Sequence, residues 1–117
     1  MKKQVIKEKE SDIVRAVSEY LNYKGYFWWR NNSGGMKATN GHFIRFGAKG
    51  SPDIFVLTKG GVLISLECKT KIGKLSPDQL EWQRKCKELD APYYIIRSVT
   101  DLPSAPFDGT TAMEGAH

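Results

Sequence analysis

Three charged residues stand where they could work together: Asp53, Glu67 and Lys69. They lie in two runs, 53–58 and 62–69, rich in β-branched and aromatic residues and separated by Lys59-Gly60-Gly61. Glycines at that point supply the positive φ that a tight hairpin requires. With a loop of Lys59-Gly60-Gly61, Thr58 faces Val62, and the same register sets Asp53 opposite Glu67 with Cβ atoms roughly 4.5–5.5 Å apart. Alternation along a strand sends Glu67 and Lys69 to one face and Cys68 to the other. The three charged side chains then converge on one spot.

Two carboxylates face to face in a mostly apolar hairpin repel. A divalent cation between them removes the conflict. All-oxygen ligation suits Mg²⁺ or Mn²⁺, and Mg²⁺ takes only one or two carboxylates and keeps waters for its other positions. A lysine two residues on adds positive charge beside the ion, suited to orienting a water or to stabilising a phosphorane as it develops. The plain alternative is a solvated cross-strand cluster that Lys69 merely neutralises. A one-residue slip of the turn would also undo the pairing.

The elements that must position these residues read as follows. From Glu10 an apolar stripe of Ile13, Val14, Val17, Tyr20 and Leu21 recurs at helical spacing and stops at Lys24-Gly25. Glu10 heads that stripe, where an acid also offsets the helix dipole. Residues 26–30 predict a strand whose aromatics belong to the core, with base stacking by Trp28 or Trp29 the lesser alternative. Residues 31–41 form a long polar connection containing glycines, 42–46 a short strand, and 47–51 lead into Pro52-Asp53. After a turn over 71–75, Ser76 is the N-cap and Pro77 the first residue of a second helix. Gln79, Trp82, Cys86 and Leu89 make its inward stripe, and a buried Gln79 needs hydrogen-bond partners. Asp90-Ala91-Pro92 ends it, 93–97 is a further strand, and 98–102 begins a short last helix. The order α-β-β-β-β-α-β-α predicts an α/β fold, a sandwich with a central mixed sheet flanked by helices.

At 117 residues the chain is one domain, and 40% hydrophobic with 26% charged residues is ordinary for a soluble globular protein. Residues 1–9 read as a basic arm, 10–102 as the domain and 103–117 as a loose tail. Eighteen Lys and Arg against thirteen Asp and Glu give +5, which favours a polyanionic partner. Arg30, Lys37, Arg45 and Lys49 flank the acidic pair in sequence and are candidates for phosphate contacts, although each alone reads as a plain surface charge. Cys68 and Cys86 read as small buried hydrophobes rather than a disulfide, which fits a reducing compartment. His42 and His117 have no partner at zinc-ligand spacing. The N-terminus lacks an apolar signal region and no run reaches membrane-span length, so the expected setting is intracellular and soluble.

Pro52-Asp53, thirteen intervening residues and then Glu67-Cys68-Lys69 resemble the PD-(D/E)XK nuclease signature. The segment Lys71-Ile72-Gly73-Lys74-Leu75-Ser76-Pro77-Asp78-Gln79 is similar to the K-x-G-x-L-S-x-x-Q stretch of the VRR-NUC family within that superfamily. Trp29-Arg30-Asn31-Asn32 and Arg45-Phe46-Gly47-Ala48-Lys49-Gly50 resemble that family's W-R-x-N and R-x-G-x-x-G stretches. The resemblance runs from about residue 8 to residue 102. It implies a restriction-endonuclease-like fold and a Mg²⁺- or Mn²⁺-dependent DNA endonuclease. Asp53, Glu67 and the backbone carbonyl of Cys68 would hold the metal, and Glu10 would assist through a water. Lys69 would orient or help deprotonate the attacking water, and Gln79 would position it. Lys71 and Lys74 would join the DNA-binding set. Stand-alone, phage-borne members resemble Holliday junction resolvases, which implies branched DNA, a homodimer and the cytoplasm of a bacterial or phage-infected cell. The alternatives are a flap-cutting or restriction-like nuclease on the same core, a non-catalytic DNA-binding module, or a small structural or scaffold protein in which the motifs are accidental.

Overall fold

The computed structural model describes residues 8–32 and 34–102. Residues 1–7 of the expected basic arm and the expected tail lie outside that range. In chain order the elements are α1 (Glu10–Lys24), β1 (Trp28–Arg30), β2 (Gly34–Lys37), β3 (Phe43–Phe46), β4 (Ile54–Thr58), β5 (Val62–Cys68), α2 (Pro77–Glu88), β6 (Tyr93–Ile96) and a 3-10 turn (Val99–Asp101).

The first helix begins and ends where its sequence says. Asp12 accepts the Lys9 N–H at its start, and Gly25 closes it at φ 75°, a left-handed conformation that glycine adopts without a Cβ penalty. Ile13, Val14, Val17 and Leu21 are buried along one stripe. Burying each contributes on the order of 1.5–3 kcal/mol before entropy is counted.

The stripe packs on one face of a four-stranded sheet of order β1-β4-β5-β6. Ile54, Val56, Ile64, Leu66, Cys68, Tyr94 and Ile96 supply that face, and Leu102 closes its end. The β4–β5 hairpin has the register that its loop length dictates, from Thr58 opposite Val62 to Ile54 opposite Leu66. Gly60 and Gly61 carry the positive φ values of the turn. β6 returns parallel to β5, with Ser65 beside Tyr93 and Glu67 beside Ile95. A parallel return needs a crossover, and α2 provides it. α2 lies on the opposite face, where the Trp82 ring lies tilted with its centroid 6.3 Å from that of Phe55 and Cys86 approaches Ser65. The result is the expected α/β sandwich with a mixed central sheet.

Five expectations need correction. Two aromatics of the 26–30 run, Phe27 and Trp29, read as core, are exposed at 66% and 40%, because β1 is an edge strand of the sheet. Gly34–Lys37, read as part of a loop, is a strand, and it pairs with β3 in a separate two-stranded sheet rather than extending the main one. The 53–58 and 62–69 strands end one residue short, at Ile54 and Cys68. Leu89 is exposed, because α2 stops at Glu88 and Leu89 falls at its C-cap, off the helical frame. The last helix is a single 3-10 turn.

Candidate active site

Asp53 sits immediately before β4. Its Oδ2 accepts the Cys68 N–H at 2.8 Å, so its carboxylate holds the end of β5 where the ladder itself has stopped. The main chain of Asp53 is fixed from the other side, because its carbonyl accepts the Asn31 N–H at 2.8 Å. The Asn31 side-chain amide donates to Ser51 Oγ and to the Pro52 carbonyl, both at 2.8 Å. Ser51 in turn donates to the Ala48 carbonyl. Gly50 completes the approach at φ 77°, and a Cβ there would collide with the backbone carbonyl of Asp78 in α2. The loop entering Asp53 and the first turn of α2 are thus in direct contact.

Glu67 is 2% exposed. Its Oε1 accepts from Gln79 Nε2 at 2.9 Å and lies 4.0 Å from Lys69 Nζ. Its Oε2 is buried without a hydrogen-bond partner. Gln79 also accepts the Ser76 N–H through Oε1 at 2.9 Å, while Ser76 Oγ accepts the Gln79 N–H. That reciprocal capping box fixes both ends of the Gln79 amide. Lys69 Nζ stands 3.4 Å from Glu10 Oε1 at the first residue of α1, so a largely buried lysine bridges a half-exposed and a buried carboxylate.

Burial pushes the Glu67 carboxyl up to about 8; Asp53 adds to the shift and Lys69 opposes it. Asp53 is raised too, again by burial first, with the Cys68 N–H as the main opposing influence. The two carboxyls are close enough that the charge of Asp53 raises the Glu67 pKa further. Such a pair holds a proton or a cation between its members. Two adjacent carboxylates, one with an orphaned oxygen, are donors that fit a hard divalent ion. The Cys68 carbonyl points toward the same strand edge as its N–H, the Asp53 edge, because the next N–H, that of Lys69, bonds Ile96 on β6. Among the described residues no group of three or more His, Cys, Asp or Glu is assembled for a metal. Glu10 meets Lys69 instead.

Of the basic candidates, Arg30, Lys37, Lys71 and Lys74 are exposed. Lys49 lies 3.4 Å from Asp78. Arg45 is paired with Gly35 in the small sheet. Asn31 and Ser51, which set the Asp53 main chain, were not legible as site residues. The available signal was their type, since Asn and Ser in loops bond nearby backbone. Tyr93 is a third missed neighbour, a fully buried hydroxyl without a partner on the α2 side of the sheet.

No family model matches the chain, and no curated protein matches it.

Proposed function

We propose that the chain is a metal-dependent DNA endonuclease of the VRR-NUC type within the PD-(D/E)XK superfamily. One observation carries the reading: Glu67, a buried carboxylate with an unpartnered oxygen, lies beside the carboxylate of Asp53. A protein has little reason to bury that pair unless something positive joins it.

Asp53, Glu67 and the Cys68 carbonyl would hold Mg²⁺ or Mn²⁺, with Glu10 assisting through a water. When bound, the ion polarises a phosphoryl oxygen and lowers the pKa of a coordinated water. The chain's own residues do the rest. Lys69 Nζ, steadied by Glu10 and Glu67, would orient the attacking water, and its positive charge would help a nearby carboxylate take the water's proton. Gln79 holds Glu67 Oε1, which leaves Oε2 available to bind the ion. Water oxygen adds to phosphorus, the opposite P–O bond breaks, and the departing oxygen leaves with the electron pair and takes a proton from solvent water. The chemistry uses no covalent nucleophile and no histidine base.

Exposed Arg30, Lys37, Lys71 and Lys74, with Lys49 and Arg45, would contact phosphates and fix position without reading sequence. Branched DNA and a homodimer follow from the family resemblance, since two copies match two symmetric strands. Among the described residues no helix is long and apolar enough to cross a membrane.

The test is cleavage of four-way junction, flap and linear duplex with and without Mn²⁺ by the native chain, Lys69→Ala and Asp53→Ala. Metal-dependent cutting lost in both variants upholds the proposal. Binding without cutting by any form turns the reading to a DNA-binding module. Equal rates on junction and duplex remove the preference for branches.

A further inference from the structure

Directly after Lys69 the chain turns over Thr70-Lys71-Ile72-Gly73, and the Gly73 N–H closes the turn on the Thr70 carbonyl at 3.2 Å. This turn is gripped a second time, from the next strand. Arg97 follows β6, and its Nη1 donates to the carbonyls of Thr70, of Gly73 at 2.8 Å and of Lys71 at 3.3 Å. The grip is itself anchored, because Asp101 Oδ2 accepts the Arg97 N–H at 2.8 Å and the Ser98 N–H at 3.2 Å. A Cβ added at Gly73 would come 3.5 Å from Lys69 Cδ, so the turn rests against the stem of the lysine in the acidic cluster.

Charge narrows the purpose of the grip. Lys71 and Lys74 are exposed, and among the described residues neither has an ion pair. Lys49, by contrast, already has Asp78. The hydrogen bonds of the Arg97 guanidinium go to carbonyls, and among the described residues it too lacks an ion pair. Three cations thus gather at one turn with no acid to offset them. Their repulsion opposes that arrangement, and a phosphate-bearing polyanion relieves it. Fixing the main chain beneath two flexible lysines also lowers the ordering cost of their contacts.

We propose that Arg97 is a positioning residue: it locks the 70–73 turn so that Lys71 and Lys74 meet backbone phosphates of duplex DNA lying at the Asp53–Glu67 site. The inference rests on the nuclease reading and deepens it, since it names the side chain that sets two of the phosphate contacts. Arg97 touches no phosphate itself. Its three carbonyls converge on a single nitrogen, so a lysine ammonium, with three donors, can take its place and an apolar side chain cannot.

Anisotropy of a labelled linear duplex, titrated with the full chain in EDTA over a range of salt, reads the effect. Arg97→Met should bind about tenfold more weakly than the native chain and make the dependence of log affinity on log salt shallower by about one. Arg97→Lys should stay near the native value. Arg97→Gln, too short to reach all three carbonyls, should fall between them and keeps the series readable if the methionine variant does not fold. Adding Arg97→Met to a chain carrying Lys71→Ala and Lys74→Ala should cost nothing further. Trypsin should cut after Lys71 faster in Arg97→Met than in the native chain. With Mn²⁺, KM for the duplex should rise while kcat stays within about threefold, because Lys69 keeps its own partners. Native affinity in Arg97→Met overturns the inference, as does a loss that adds in full to the double lysine variant, or a turn no more open to trypsin. A native chain that leaves the duplex unbound overturns it together with the nuclease reading. Arg97-dependent binding through the two lysines without metal-dependent cutting upholds the grip and removes the nuclease reading. Metal-dependent cutting with binding indifferent to Arg97 removes the grip alone.

Discussion

The Gln79 amide joins Glu67 to the start of α2: Nε2 donates to Glu67 Oε1 at 2.9 Å while Oε1 caps the Ser76 N–H. One side chain therefore closes a helix end and orients a buried acid. Gln79→Ala loses both bonds and lowers stability by about 1–3 kcal/mol, measured by urea unfolding. Gln79→Glu keeps the cap but brings a third carboxylate to the cluster. It should retain most of the helix and impair cutting at least as severely as alanine does. A Gln79→Glu chain with native activity would show that the amide donor is dispensable.

The pH dependence has a definite sign. Glu67 has its folded pKa raised from 4.5 to about 8, and Asp53 is raised as well. Protonation therefore favours the folded state. The stability it supports is fully present below about 4.5 and is lost as pH rises through about 8. Without divalent ions the stability should fall by roughly 2–5 kcal/mol over that window. Magnesium should raise the melting temperature more at pH 8.5 than at pH 5.5, because the ion competes with the proton. Thermal melts in EDTA across this range check the slope, and Glu67→Gln should flatten it.

Lys69 and Asp53 should separate chemistry from ion binding. Lys69→Ala removes a positive charge beside two carboxylates, so calorimetry should find Mn²⁺ bound at least as tightly as by the native chain. Cutting should nevertheless fall about 10²- to 10⁴-fold. Asp53→Ala should lose both. Weakened Mn²⁺ binding in Lys69→Ala would mean that the lysine's service is structural.

Tyr93 offers a stability gain. Its hydroxyl is buried without a partner, and a buried unsatisfied group costs about 1–3 kcal/mol. Tyr93→Phe removes that group and keeps the ring, so denaturant unfolding should show a more stable protein by about 1 kcal/mol or more. A less stable variant would reveal a bonded water at this position.

Much of the site could be read before the fold was known, and for a physical reason. A glycine turn of fixed length sets a hairpin register by counting, so Asp53 and Glu67 were placed by Lys59-Gly60-Gly61 alone. The Ser76-Pro77 start of α2 was equally legible, because capping is local chemistry. What escaped depended on partners distant in sequence. Gly34-Gly35-Met36-Lys37 has no β-branched residue and two glycines, and only its pairing with β3 makes it a strand. Leu89 kept the helical period on paper, but the helix ended one residue earlier. Asn31 gave no sign that it would reach Ser51 and Pro52, twenty and twenty-one residues on.

The shared hairpin of Asp53 and Glu67 also bears on how the chain folds. Their strands are nearest neighbours along the backbone, whereas Gln79 and Glu10 must come in on separate helices. If this hairpin belongs to the folding nucleus, the mutual repulsion of the acids sits on the folding barrier itself. Acid or a divalent ion would then accelerate the refolding arm of a chevron plot more than it slows the unfolding arm. The centre proposed to cut DNA would also pace the chain's own assembly.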